Sequence, residues 1–456
     1  MPKTTTAYVC QQCGAASPKW AGKCEACGSW NSLQQEEVIK TASTQKMRGG
    51  GKIAIEQLTD NTPEAPRQAT GFSEVDRVLG GGLVPASAIL IGGDPGIGKS
   101  TLLLQLMCKM AAKMPCLYLS GEEAVAQIRL RAKRLGLQKA PLALATENSV
   151  DHIIASLKQA TPDIVVVDSI QTMSVGNVES APGTVAQVRA SALELISAAK
   201  KMGFVLLLVG HVTKEGMIAG PKVLEHMVDT VLYLEGDRGH QFRILRAAKN
   251  RFGPTDEIGV FDMGPEGLQE VTNPSALFLS ETRLPVPGTI VFAGLEGTRP
   301  VLCEVQALLS PSYYGTPRRA SVGWDLARLN LILAVLETRL GIAFGQTDVY
   351  LNMAGGIKIS EPAADLAVAA ALLSAHFNTP WPTQQLAFGE VGLTGEIRPV
   401  AQADLRLKEA SKLGFTGALI PAGSKYTTAL DGHLAIQSLS LLQDLPAMLT
   451  RKQKAA

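Results

Sequence analysis

What this sequence lacks narrows its class before any motif is read. No stretch of its 456 residues approaches the roughly 18 consecutive apolar residues of a membrane span. Met1 to Cys10 is polar, without the apolar core of a secretory leader. A cytoplasmic chain with no membrane role is expected. Charge of one sign is also missing: 43 Lys and Arg face 41 Asp and Glu, a net charge of +2. Bulk charge therefore predicts no polyanionic partner, and any nucleic-acid contact must come from local loops. Seven cysteines are an odd number for a disulfide framework, and four of them are clustered. The other three, Cys108, Cys116 and Cys303, stand apart in apolar sequence and are expected to be inert core thiols. With 46% apolar and 18% charged residues the chain is not extensively disordered, and its length predicts two or three domains.

What is present centres on Gly93-Asp94-Pro95-Gly96-Ile97-Gly98-Lys99-Ser100, which fits GxxxxGK[ST] without a mismatch. The apolar run Ala88 to Ile91 reads as a strand entering this loop, and Thr101 to Lys113 as a helix leaving it. In that context glycines turn consecutive backbone N–H groups toward phosphates, and the helix N-terminus adds partial positive charge. ATP binding is assigned to Gly93 through Thr101, with Lys99 reaching the β- and γ-phosphates and the Ser100 hydroxyl ligating Mg²⁺.

Upstream, Cys10-Gln11-Gln12-Cys13-Gly14 and Cys24-Glu25-Ala26-Cys27-Gly28 are two CxxCG knuckles. Four thiolates in two close pairs suit tetrahedral, structural Zn²⁺ held by Cys10, Cys13, Cys24 and Cys27. So short a module relies on its ion for folding energy. Trp20 and Trp30 flank the second knuckle and are expected to cover the metal as a small core, with exposed stacking and partner surfaces as the alternative. Periodicity then disappears, and residues 34–66 read as a flexible linker.

Beyond the loop helix, the short strand Cys116 to Leu119 ends in Ser120-Gly121-Glu122-Glu123. A carboxylate at such a strand end suits the orientation of attacking water; Glu122 is preferred to Glu123, which better fits a helix N-terminal acid. Ile164 to Val167 ends in Asp168, the Walker B arrangement for Mg²⁺. Phe204 to Val209 predicts another buried strand, followed by His211 as a γ-phosphate sensor or a structural histidine. Lys214 and Lys222 lie in a predicted loop, as DNA-backbone contacts or ordinary solvated cations. If Arg243 to Arg251 is a strand, Lys249 and Arg251 project to one side and suit a γ-phosphate developing charge, more usefully in a neighbouring subunit than in their own.

Asn273-Pro274 and Leu284 to Gly288 mark a linker at 273–285 and a new fold from 286 to 456. Arg318 and Arg319 share a predicted loop with Tyr313 and Tyr314, a candidate DNA contact or a solvated loop.

The paired knuckles, TGFSEVDRVLGGGL, GDPGIGKST, YLSGEEA, VVVDSIQT, GHVTKEG and KNRFGP together resemble the bacterial RadA (Sms) family over essentially the whole chain. That resemblance implies an α/β, RecA-like ATPase core over 67–272, an N-terminal zinc finger over 1–33 and a hexameric, DNA-stimulated ATPase. The implied work is branch migration of recombination intermediates on single-stranded and branched DNA, with the RecA recombinase as partner. KNRFGP is similar to the paired Lys and Arg of DnaB-type hexameric helicases, which implies Lys249 and Arg251 as trans-acting fingers. Residues 355–362 and 388–399 resemble the α+β proteolytic domain of Lon, but Ala363 stands at the serine position and Asp404 at the lysine position, so peptidase activity is expected to be absent. An ATP-switched scaffold without motor activity, a Lon-type protease and a KaiC-like kinase remain the rival readings.

Overall fold

In the computed structural model the described residues are 4–10, 16–25, 28, 30–39, 66–210, 223–236, 242–279, 284–313, 315–356, 358–427 and 434–451. The chain divides into two compact units, Met1–Val271 and Thr272–Ala456.

The first unit opens with a three-stranded sheet. Strand β1 (Thr4–Cys10) pairs antiparallel with β2 (Ala16–Ser17) and with β3 (Leu33–Ile39). The expected linker from 34 therefore begins as strand: every residue of Leu33–Ile39 has a partner in Thr4–Cys10. Ladder hydrogen bonds hold this polar run, which carries no apolar period to betray it.

The larger sheet of this unit explains the placement of the phosphate loop. Its strands are β4 (Ala88–Gly92), β5 (Cys116–Ser120), β6 (Ala143–Thr146), β7 (Ile164–Asp168), β8 (Val205–Val209), β9 (Thr230–Glu235), β10 (Phe242–Asn250), β11 (Ile258–Gly264) and β12 (Gly267–Glu270). Their order is β12-β11-β10-β9-β4-β8-β7-β5-β6, parallel from β9 to β6 and antiparallel from β9 to β12. The central strands are apolar throughout because both faces are covered. Ile89, Ile91, Val166, Leu207 and Val209 join the helices Ser73–Leu79 and Lys99–Ala111 on one face. Ala88, Leu90, Val165, Val167, Leu206 and Leu208 join the helices Val150–Ala160 and Val185–Met202 on the other. Cys108, Cys116 and Cys303 are all buried, which pushes their thiols up to about 11, 12 and 12 and leaves them unreactive.

The second unit is an α+β domain. Its strands are β13 (Thr289–Glu296), β14 (Arg299–Pro311), β15 (Arg319–Val322), β16 (Thr347–Met353), β17 (Gln385–Ala387), a small hairpin of β18 (Glu390–Val391) and β19 (Ile397–Arg398), then β20 (Gly417–Pro421) and β21 (Ala435–Leu439). Seven of them form one mixed sheet in the order β15-β16-β14-β13-β17-β20-β21. Helix Asp365–His376 packs on it through alanines that are wholly buried, which brings its backbone close to the strands. The expected linker at 273–285 is partly structural: helix Ser275–Phe278 docks on β14, where the Ser275 hydroxyl accepts from the Leu302 N–H at 3.0 Å and Phe278 is buried. Among the described residues, no helix is long and apolar enough to cross a membrane.

Candidate active site

The parallel strands bring their carboxyl ends to one edge, and the polar residues of the sequence motifs collect there. Ser120 is in register with Asp168, Val167 with Leu208, and Ile91 with Val209. The loop after β4 is held in shape by glycine. Gly93 has φ +146° and a Cβ there would meet the Leu234 carbonyl oxygen at 2.4 Å; Gly98 has φ +119° and a Cβ would meet Met263 Cε at 2.5 Å. Neither position accepts a side chain. Helix Lys99–Ala111 starts directly behind them with no side-chain cap, so its first N–H groups face the loop.

Lys99 is 4% exposed and its ammonium donates to the carbonyls of Gly93 at 2.6 Å and Asp94 at 3.0 Å. Burial lowers its pKa, opposed by the nearby carboxylates of Asp168, Asp94 and Glu122. Neutral carbonyls are weaker partners for a desolvated cation than phosphate oxygens, so this lysine is poised to exchange them. Asp168, also buried, ends β7, and its Oδ2 accepts from the Tyr118 hydroxyl at 2.5 Å. Burial first, then the Asp168 charge, raises the Tyr118 pKa and keeps that phenol a donor. The Asp168-Ser169 peptide bond is cis. The Ser169 hydroxyl donates to Glu122, whereas the Glu123 carboxylate pairs with Arg131. The two adjacent acids are thereby separated: Glu122 is exposed beside Asp168, and Glu123 is tied into the fold.

Tyr118, Ser120 and Ser169 escaped the sequence reading. Ser120 accepts from the backbone N–H groups of Glu122 and Glu123 and so shapes their turn. The available signal was a tyrosine inside an otherwise apolar strand, since a buried phenol needs a partner.

Lys249 and Arg251 lie elsewhere. Strand β10 contains Lys249, ends at Asn250 just before Arg251, and carries a bulge between Ala247 and Lys249. Even so, both cations reach one place: Lys249 Nζ donates to the carbonyls of Glu225 at 2.8 Å and Val228 at 2.7 Å, and Arg251 pairs with Asp229 at 3.2 Å. Burial and then the Arg251 charge lower the Lys249 pKa. Asp229 in turn accepts from the Ala88 N–H, at the amino end of β4. The pair thus sits at the opposite edge of the sheet from the chain's own loop, a strand length of roughly 16 Å away.

His211, Lys214, Lys222, Cys13, Cys27 and Tyr314 lie outside the described residues. Arg318 is exposed, as is Tyr313. Arg319, by contrast, has its guanidinium on the carbonyls of Thr347 and, at 2.8 Å, Phe344. It anchors an edge strand and stays half-exposed. In the second unit Ala363 is fully buried in the turn Pro362–Ala364, and Asp404 binds Lys408 and Thr427.

In the cysteine module, Cys10 and Cys24, one of the expected thiolate ligands from each knuckle, are buried in one cluster with Leu33, and the Cys10 thiol donates to the Ser32 hydroxyl at 3.2 Å. Gly28 N–H turns back to the Cys24 carbonyl at 2.8 Å with φ +75°, as a knuckle requires. The tryptophans do not cover it: Trp20 is 58% and Trp30 73% exposed, which corrects the expectation of a small aromatic core.

Three family models match along the chain: a rubredoxin metal binding domain over residues 8–35, an AAA domain over 57–217 and subunit ChlI of Mg-chelatase over 328–424. Among solved structures the chain is similar to a KaiC-like protein from Pyrococcus horikoshii, at 21% identity and a TM-score of 0.38, covering 45% of this chain and 99% of that one. Among curated proteins it is 54% identical to DNA repair protein RadA of Brucella abortus, over 98% of each chain. It is 50% identical to DNA repair protein RadA of Pseudomonas aeruginosa, over 98% of this chain and 100% of that one. Half or more of its residues are shared along almost the whole length of these relatives, and the chain belongs to the DNA repair protein RadA family.

Proposed function

We propose that this chain is a cytoplasmic, DNA-stimulated ATP hydrolase that works as a hexameric ring of the DnaB type on single-stranded and branched DNA, promoting branch migration with RecA. Lys99 and the loop from Gly93 to Thr101 hold the triphosphate. Ser100 and Asp168 are the residues that would hold Mg²⁺, which when bound draws charge from the phosphate oxygens. Glu122, held by Ser169, orients a water for in-line attack on the γ-phosphorus and takes its proton as the bond to ADP breaks. His211 senses the γ-phosphate, and Lys214, Lys222 and Arg318 contact DNA. The cysteine module holds Zn²⁺ through Cys10, Cys13, Cys24 and Cys27. The second unit has no peptidase chemistry, because a methyl group at 363 is no nucleophile and a carboxylate at 404 no substitute for a lysine base.

The observation that carries the ring is the location of Lys249 and Arg251. They converge at the sheet edge opposite their own phosphate loop, too far to serve it, which supports their serving a neighbour's loop. Subunits carrying Lys99→Ala and subunits carrying Arg251→Ala should each be inactive alone, by about a thousandfold or more. Mixed, they should regain activity at composite sites that combine one intact loop with one intact finger pair. Mixed rings as inactive as either parent would overturn the trans assignment. Tight ATP binding without turnover, with single-stranded DNA present, would favour the switched scaffold instead.

A further inference from the structure

The chain has four tryptophans, and they fall into two classes: Trp324 and Trp381 are 7% and 5% exposed, while Trp20 and Trp30 stand in solvent. The exposed pair is gathered on one spot. A bridge between Lys23 and Trp30 closes the second knuckle, and the Asn31 N–H returns to the Gly22 carbonyl at 2.7 Å. Over Gly22, where a Cβ would stand, Trp30 Cζ3 comes to 3.9 Å and Trp20 Cη2 to 4.0 Å. Both indoles therefore share the space that the glycine leaves free. Lys23 Nζ lies 5.7 Å from the centroid of the Trp30 ring, and Lys19 is exposed beside Trp20. Among the described residues of this turn, Lys19 and Lys23 are the exposed cations and Glu25 the exposed acid.

We propose that Trp20 and Trp30 form a stacking platform for the unpaired bases of single-stranded DNA, with Lys19 and Lys23 meeting the flanking phosphates. This rests on the single-strand reading above and names a site for it in the cysteine module. The chemistry favours that occupant. Aromatic rings held open to water expose apolar area at a cost. Unpaired bases present π faces that cover such rings without regard to sequence, and adjacent ammonium groups neutralise the backbone that accompanies them. Paired bases in a duplex offer no such face.

The buried pair supplies an internal control. In the full-length, metal-loaded protein, an oligo-dT strand should quench the emission of the exposed indoles and leave that of Trp324 and Trp381. A protein carrying Trp20→Ala and Trp30→Ala should lose this quenching and bind labelled oligo-dT about tenfold or more weakly, with its metal content and its ATP hydrolysis without DNA unchanged. Trp30→Phe in place of Trp30→Ala should restore most of the affinity, because a phenyl ring still stacks. The platform is overturned if labelled oligo-dT binds the wild type and the double variant equally, or binds while indole emission stays constant. The latter is the result expected of rings that dock a protein surface. Either result leaves the single-strand reading standing; absence of any oligo-dT binding by the wild type, with or without ATP, removes both.

Discussion

Two buried sites, the phosphate loop of the first unit and the interior of the second, hold charge in opposite ways. In the first, the buried Lys99 rests on two loop carbonyls and the buried Asp168 takes one phenolic hydrogen bond. In the second, Asp365 is gripped by the Arg328 guanidinium and by the Val391 N–H at 3.0 Å, and the fully buried Arg406 by the Glu361 carboxylate and the Ala293 carbonyl at 2.6 Å. A cation on neutral carbonyls gains when phosphate replaces them, whereas an ion pair already matched by charge and geometry has little left to gain. Burial of charge alone therefore does not locate a site. The nature of the partner does.

Substitutions should separate these two kinds of burial. The largest stability effect is expected at Glu361: Glu361→Leu leaves the Arg406 charge buried without its carboxylate and should cost about 3–5 kcal/mol of the second unit's stability. Thermal denaturation would register it as a lower midpoint for that unit, while ATP affinity of the folded protein stays the same. A variant that kept its midpoint would place Arg406 among the exchangeable charges and erase the contrast. In the first unit the reverse is expected. Tyr118→Phe removes one hydrogen bond to Asp168 and should raise the Mg²⁺ concentration needed for half-maximal hydrolysis by about tenfold, with a change in midpoint worth about 1 kcal/mol or less. If stability fell and the Mg²⁺ requirement did not move, Tyr118 would be a packing residue and no more.

The same contrast explains what the sequence disclosed. Apolar runs that end in a polar residue, such as Ile164 to Asp168 and Cys116 to Ser120, announce both the strand and the site at its end, because a strand buried on both faces has one readable pattern. The loop glycines were legible for a similar reason, since steric demand fixes residue type. The polar strand Leu33–Ile39 was not, because its pairing partner lies far away in the chain and its own residues carry no period. Nor was the exposure of Trp20 and Trp30 legible: whether an aromatic beside a metal covers it or faces water depends on the turn at Gly22, which spacing does not encode. The odd tyrosine of an apolar strand announces that Tyr118 needs a partner but not which one, and the Ser169 contact to Glu122 likewise joins segments far apart in the chain.

The smallest effect tests the contrast where it is weakest, at Asp404. This acid occupies the position at which the Lon-like resemblance calls for lysine, on the first turn of helix Ala403–Lys412. Its Lys408 ammonium, then the Thr427 hydroxyl and N–H, hold its carboxyl down to about 2 from the usual 3.8. A carboxylate with a depressed folded-state pKa contributes stability that is present above the unfolded value and lost as pH falls through the folded one. The advantage of the wild type over Asp404→Asn should therefore be constant near neutrality, shrink below about pH 4 and vanish only below about pH 2. The side chain is about one-third exposed, so solvent screens the interaction and the difference should be small. An advantage that instead grew on acidification would mean that Asp404 is better placed protonated than charged. It would then not belong with the fixed ion pairs of its unit, and the division between exchangeable and architectural charge would fail at the one position where the resemblance looks for a catalytic base.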